Sequence, residues 1–212
     1  MNLKVKICGL KDPENIRNVL ALRPDYIGFI FYPGSKRFAG DLDAGWAAQL
    51  QGVRKTGVFV NADIGEVESA VRRYGLQAVQ LHGEESALYC TGLKDVLRDG
   101  NVEIIKAFGV DEGFDWDVVD AFDTAVDYYL FDTKSAQHGG TGIRFNWQLL
   151  DGYKATKPFF LSGGLSAGNI GDALALTDGR LYGLDLNSKF ETSPGTKDIE
   201  LLKRTLESIN DE

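Results

Sequence analysis

Eight short β-rich runs alternate with helix-compatible stretches along this chain, and the alternation continues from one end to the other without a linker. The strand candidates are Leu3 to Cys8, Tyr26 to Phe31, Gly57 to Asn61, Ala78 to His82, Glu103 to Phe108, Tyr128 to Asp132, Pro158 to Ser162 and Leu181 to Leu186. Helical patterns follow near Pro13 to Leu22, Asp43 to Leu50, Ile64 to Tyr74, Ser86 to Leu97, Phe114 to Phe122, Trp147 to Leu150, Ala167 to Leu176 and Ile199 to Ile209. Asp12 before Pro13 reads as an N-cap followed by proline in the first turn, and Ser166 is expected to open another helix. Eight such pairs in 212 residues predict an α/β fold, a single-domain (β/α)8 TIM barrel spanning 1–212; an open doubly wound sheet usually has fewer strands.

A closed barrel carries a positional rule, because its chemistry sits at the C-terminal ends of the strands. Those ends hold Cys8, Tyr32 to Arg37, Asn61, Gln80 with His82, Lys106, Asp132, Gly163 with Gly164, and Asp185 to Ser188. The opposite ends begin with Asp25, Gln77 and Arg180. In the first strand, alternation puts Lys4, Lys6 and Cys8 on one side and Leu3, Val5 and Ile7 on the other. A lone thiol there suits a small buried hydrophobe as well as a reactive group.

The seventh and eighth strand ends are adjacent in a barrel and together suit an anion. Gly163 and Gly164 let backbone N–H groups approach an oxyanion, a following helix N-terminus would add partial positive charge, and Asn187 and Ser188 close the last strand. Asp132 ends an apolar run, where a carboxyl group either transfers a proton or caps a loop. After it, Gly139, Gly140, Thr141 and Gly142 form either a lid or a passive connection. Gln80 and His82 share a strand face that could line a pocket, and Arg37 either grips a carboxylate or lies solvated. His82 and His138 are too far apart in sequence to suggest a metal motif, so no metal is expected.

Composition narrows the partners. There are 31 acidic against 23 basic residues, a net charge of −8, which disfavours nucleic acid and acidic membranes as long-range partners. Only two cysteines, with no paired spacing, together with a charged first strand in place of an apolar signal region, suggest a reducing, cytoplasmic setting. No apolar run approaches the ~20 residues of a membrane span.

Several motifs then converge: Lys6-Ile7-Cys8-Gly9, Gly28-Phe29-Ile30-Phe31-Tyr32-Pro33 with Ser35 and Arg37, and Val79-Gln80-Leu81-His82-Gly83. Phe131-Asp132-Thr133-Lys134, Gly139-Gly140-Thr141-Gly142, Leu161-Ser162-Gly163-Gly164-Leu165, and Glu191 with Pro194-Gly195 and Lys197-Asp198 complete the set. Across essentially the whole chain these resemble the phosphoribosylanthranilate isomerase family of tryptophan biosynthesis. The resemblance implies a barrel of the ribulose-phosphate-binding type and an Amadori rearrangement of N-(5-phosphoribosyl)anthranilate to 1-(2-carboxyphenylamino)-1-deoxyribulose 5-phosphate, without a cofactor. It implies Asp132 as general acid, Cys8 as general base, and Arg37 on the anthranilate carboxylate. It further implies Asp185 on sugar hydroxyls, Gln80 and His82 along the pocket, and Gly163, Gly164, Asn187 and Ser188 on the phosphate. Lys6 is expected to favour the Cys8 thiolate. The expected partner is a small phosphosugar substrate, with the chain a monomer or homodimer.

Two departures from the family pattern stand out. Ser188-Lys189-Phe190-Glu191 replaces a Ser-Gly-Val-Glu run, leaving Lys189 either a charged contact or a solvated side chain, and Asn146 replaces an aspartate before Trp147 as a comparable cap. Three alternatives are weighed. A histidine-pathway aminoaldose isomerase would place aspartate where Cys8 stands, and indole-glycerol-phosphate synthase would place lysine and glutamate differently. A noncatalytic sugar-phosphate binding module would not need both Cys8 and Asp132.

Overall fold

The computed structural model describes residues 3–134 and 145–210. The glycine-rich run Gly139 to Gly142 and His138 lie outside the described residues. Strands β1 (Lys4–Ile7), β2 (Tyr26–Ile30), β3 (Arg54–Phe59), β4 (Ala78–Leu81), β5 (Glu103–Val110), β6 (Tyr128–Thr133), β7 (Phe159–Leu161) and β8 (Leu181–Leu186) close in sequence order into a barrel. Every neighbouring pair is parallel, including β1 with β8, where Lys6 stands opposite Asp185. After β8, a small antiparallel hairpin is made by β9 (Glu191–Ser193) and β10 (Thr196–Lys197).

The outer layer contains α1 (Pro13–Ala21), α2 (Ala44–Ala48), α3 (Ile64–Tyr74), α4 (Ala87–Val96), α5 (Ile170–Leu174) and α6 (Ile199–Asn210). Asp12 caps α1 by accepting the Asn15 N–H at 2.7 Å, with Pro13 in the first turn as expected. After β5 and β6 the expected helices are instead 3-10 segments, Trp116–Phe122 and Trp147–Gly152. The cause is local: Asp115 accepts from Asp117 N and Asn146 from Gln148 N, short loops that compete with an α ladder. Asn146 is therefore the cap that its position suggested.

Two other expectations need correction. Helix α5 starts at Ile170 behind Asn169, not at Ser166. Asn169 ties the loop by accepting from Ser166 N at 2.8 Å and donating to Gly164 O at 3.0 Å, so the chain makes a further turn before the helix begins. Lys106 is not at a strand end, because β5 continues to Val110. It pairs in register with Leu81 and Tyr129, both in the layer between strands and helices. There its Nζ donates to Gly83 O at 2.7 Å and to Glu85 Oε2 at 2.9 Å.

The barrel interior is plugged. Tyr26, Ala78, Ile105, Ala107, Leu130 and Phe160 form an internal apolar cluster joined by Tyr128 and Tyr182. Phe160 meets Tyr26 edge-on at 5.4 Å and Tyr182 at 5.2 Å, a preferred aromatic geometry. Toward the N-terminal ends of the strands, Tyr26 OH donates to Glu103 Oε2 at 3.0 Å, and Arg54 pairs with the same carboxylate. A filled floor leaves the opposite end as the place for a site.

Candidate active site

Cys8 directly follows β1, and its N–H bonds to Leu186 O on β8 at 2.9 Å. Cys8 is 2% exposed, so the burial expected of a small core thiol holds. What surrounds it is not apolar. Lys6, two residues back on the same face and fully buried, places Nζ 2.8 Å from Asp185 Oδ1, and Ser162 Oγ lies 3.5 Å from Asp185 Oδ2. A Cβ added at Gly28 would stand 2.7 Å from Cys8 Sγ, so the glycine in β2 makes room for the sulfur.

These neighbours pull the thiol in both directions. Burial pushes its pKa up and Asp185 adds to that, while Lys6 and Lys197 oppose it; the net result is upward. Lys6 thus acts in the expected direction but does not win, since burial is the larger effect and Asp185 already compensates its charge. Burial likewise works against the Lys6 ammonium, yet Asp185 and Cys8 outweigh it and raise its pKa. Lys6 therefore stays charged beside the sulfur.

Across the mouth, Asp132 on β6 is buried and its two oxygens have different surroundings. Oδ1 accepts the Thr133 N–H at 2.7 Å, while Oδ2 lies 3.4 Å from His82 Nε2. The loop-capping reading accounts for Oδ1, which accepts a backbone N–H, while Oδ2 is turned toward the His82 ring. Gln80 Nε2 is 3.0 Å from His82 Nδ1. With Gln80 donating, Nδ1 accepts and the ring proton sits on Nε2, facing Asp132. Gln80 Oε1 is buried with no hydrogen-bond partner among the described residues.

Behind His82, the chain is clamped by groups that sequence reasoning missed. Glu85 accepts from Asn61 N at 2.8 Å, Gly83 N at 3.0 Å and Lys106 Nζ at 2.9 Å, all in a buried setting. Burial works against the Glu85 carboxylate, but Lys106 and the backbone donors hold its pKa below the ordinary range. The only sequence signal was a polar pair at residues 84 and 85 beside a glycine, which a surface turn produces equally well.

The loops after β7 and β8 complete the mouth. Gly163 and Gly164 take φ of 83° and 66°, a region that disfavours side chains, and a Cβ on Gly163 would sit 2.8 Å from Asp132 Oδ1. With α5 beginning only at Ile170, the nearby helical N-terminus is instead the short 3-10 turn Ser188–Phe190 behind Asn187. In that turn Phe190 is fully buried and Lys189 is exposed, so the departure from the family pattern adds a core side chain and a solvated cation.

Arg37 lies neither in solvent nor alone. Its guanidinium reaches Glu191 at 2.7 to 3.0 Å, and Lys197 Nζ bonds Glu191 Oε1 at 2.6 Å and Asn187 Oδ1 at 2.8 Å. A Cβ on Gly9 would touch Arg37 Cδ and Asn187 Oδ1, both at 2.7 Å, so the cluster crosses the backbone immediately after Cys8. Glu191 and Lys197 entered the sequence reading only as parts of a motif. Their signal was two opposite charges flanking Pro194-Gly195, which a hairpin turns toward each other. Among the described residues no cluster of three or more His, Cys, Asp or Glu side chains is arranged to hold a metal ion.

A plugged (β/α)8 barrel whose open end gathers a buried thiol, a carboxylate, a histidine and glycine-rich strand-end loops has the layout of the (β/α)8-barrel enzymes, whose sites lie at the C-terminal ends of the strands. The family model for N-(5'-phosphoribosyl)anthranilate isomerase matches residues 5–208. The N-(5'-phosphoribosyl)anthranilate isomerase of Parabacteroides distasonis is 41% identical over 209 residues, covering 97% of this chain and 92% of that protein. A crystal structure of monomers derived from dimeric phosphoribosylanthranilate isomerase of Thermotoga maritima superposes with TM-score 0.82 at 29% identity, covering 99% and 100% of the two chains. Another phosphoribosylanthranilate isomerase, solved with reduced 1-(o-carboxyphenylamino)-1-deoxyribulose 5-phosphate, superposes with TM-score 0.77 at 29% identity, covering 99% and 100%. This chain belongs to the phosphoribosylanthranilate isomerase family, a family of isomerases in tryptophan biosynthesis.

Proposed function

We propose that this chain, acting as one catalytic domain over 1–212, performs the Amadori rearrangement of N-(5-phosphoribosyl)anthranilate with Asp132 as general acid and Cys8 as general base. The protonated Asp132 carboxyl gives its proton to the ribose ring oxygen as the C1–O bond breaks, and the nitrogen lone pair forms the C1=N bond of a Schiff base. The Cys8 thiolate then takes the C2 proton. The electrons of that C–H bond form C1=C2 while the C1=N pair returns to nitrogen, giving an enolamine. Loss of the proton from the C2 hydroxyl and protonation of C1 yield the ketone. The rearrangement is redox-neutral overall, because the electron pair of the C2–H bond that breaks is regained in the new C–H bond at C1, so it calls for no redox cofactor.

The observation that carries this reading is the placement of Cys8 and Asp132 at the ends of β1 and β6, both buried, over a filled barrel floor. The family resemblance supports the remaining roles. Arg37 takes the anthranilate carboxylate, Asp185 a sugar hydroxyl, and Gln80 and His82 the wall beside Asp132. Gly163, Gly164, Asn187 and Ser188 hold the phosphate. The substrate is a small phosphosugar, and neither nucleic acid nor membrane is a partner; no described helix is long and apolar enough to cross a membrane. Two buried free thiols suit a reducing cytoplasm. The working unit is a monomer or homodimer.

Loss of phosphoribosylanthranilate fluorescence, followed for wild type, Cys8→Ala and Asp132→Asn, tests the assignment. Each variant should lose about 10²–10⁴-fold in kcat. A folded variant with near-normal turnover would remove the role assigned to that residue.

A further inference from the structure

Arg37, Glu191 and Lys197 form a three-charge cluster in which the mechanism above employs only Arg37. The Glu191 and Lys197 side chains are 4% and 0% exposed, and Arg37 is 13% exposed. Two basic groups face the single Glu191 carboxylate; burial pushes the Lys197 pKa down while Glu191 opposes it, so one carboxylate serves both. Asp185 does not supply a second carboxylate, because Lys6 already pairs with it. Buried charge is costly without a partner, which makes an anionic ligand the natural complement.

The geometry also fixes which edge of Arg37 that ligand would meet. Nε lies 2.9 and 3.0 Å from the Glu191 oxygens, and Nη2 lies 2.7 Å from Oε2. Nη1 makes no hydrogen bond among the described residues. Glu191 is itself held in place: Lys197 Nζ and Gly195 N reach Oε1 at 2.6 and 3.2 Å, and Lys197 bonds through its backbone N and O to the Asn15 side chain at 2.8 and 2.9 Å. A long arginine that would otherwise sample many rotamers is thus fixed before any ligand arrives, which reduces the entropy lost on binding.

We propose that Glu191 and Lys197 are positioning residues for carboxylate recognition: Glu191 occupies one edge of the Arg37 guanidinium so that the Nη1 edge meets the substrate carboxylate, and Lys197 keeps Glu191 in place. This rests on the reading of Arg37 given above. The competing role is a structural clasp that merely holds the hairpin of β9 and β10.

The discriminating quantity is the ratio of kcat/KM for N-(5-phosphoribosyl)anthranilate to that for N-(5-phosphoribosyl)aniline, which lacks the carboxylate. Glu191→Gln should lower this ratio about tenfold to a hundredfold through KM for the anthranilate substrate, the range of a hydrogen bond to a charged group, while kcat stays close to wild type. Lys197→Met should lower it as well. The double variant Glu191→Gln/Lys197→Met should lose no more than Glu191→Gln alone, because Lys197 acts through Glu191. The double variant also removes both buried ionisable groups, so it carries the measurement if a single variant fails to fold. Arg37→Ala separates the outcomes. If it leaves the ratio unchanged, the reading of Arg37 fails and this inference with it. If Arg37→Ala collapses the ratio while Glu191→Gln weakens both substrates equally, the hairpin is only a clasp and this inference alone is overturned.

Discussion

The two ends of the barrel use polar residues in opposite ways. At the N-terminal end, Asp25 bonds Lys4 Nζ and Val5 N, Gln77 accepts from Lys55 N, and Arg180 bonds Asp178 and the carbonyls of Tyr153 and Ala155. Each of these groups is satisfied by the fold itself. At the C-terminal end, Cys8 is a thiol among charges, Gln80 Oε1 has no partner among the described residues, and the Arg37 cluster sets two basic groups on one carboxylate. A polar group satisfied by its own fold contributes stability, whereas one left incomplete costs stability and remains available to a ligand. The difference lies in how far the hydrogen bonding is completed, since charged residues occur at both ends.

The sharpest test of that contrast pairs the Cys8 and Asp132 variants with a floor variant. Cys8→Ala and Asp132→Asn should depress kcat by about 10²–10⁴-fold while thermal melting moves little. Phe160→Ala should do the reverse. It should cost about 3–5 kcal/mol, a fall of roughly 6–20 °C in Tm, with KM near wild type. If the floor variant instead abolished turnover at a temperature where it remains folded, the division between the ends would break.

Glu85 offers a smaller, pH-coded effect on the mouth side. Its folded pKa lies below the ordinary range, so its stabilising contribution is present above the unfolded value of about 4.3 and is lost as pH falls through the folded value. Glu85→Gln, which leaves the Lys106 ammonium buried without its carboxylate, should cost about 3 kcal/mol at neutral pH. Urea melts of wild type and variant should draw together below pH about 4. A gap that stayed constant with pH would show that the carboxylate charge is not what stabilises the loop.

A spectroscopic titration of Cys8 follows. The difference in ultraviolet thiolate absorbance between wild type and Cys8→Ala should develop only above the ordinary thiol range of about 8.5. Absorbance already complete at neutral pH would mean that Lys6 and Lys197 outweigh burial. Cys90, whose thiol burial pushes up to about 11, contributes equally to both proteins and cancels. The smallest effect belongs to Lys189, which is exposed in the turn after β8. Lys189→Ala should change stability by less than about 0.5 kcal/mol and kcat/KM by less than about twofold.

Local pattern made much of this molecule legible. Period-two alternation revealed Lys6 and Cys8 on one face of β1, and the Asp12-Pro13 pair marked the start of α1. The positional rule for barrels singled out Cys8, Gln80, His82, Asp132, Asp185 and Asn187, which do stand at one end of the barrel. The same rule misplaced Lys106, because strand length depends on pairing with neighbours and β6 carries β5 on to Val110. Ser166 misled for a related reason: a serine can cap a helix, but Asn169 bonds both sides of the loop and delays α5.

By itself the sequence determined the barrel, the identities of the groups at its mouth and the family to which the chain belongs, since these rest on periodicity, residue type and motif order along the chain. Tertiary structure alone decided how those groups are paired. Lys6 meets Asp185 across 179 positions, Arg37 meets Glu191 across 154, and His82, just after β4, meets Asp132 on β6. Electrostatic effects depend on distance and burial, neither of which is written in the order of residues, so the charge state of Cys8 follows from the closed barrel and its filled interior.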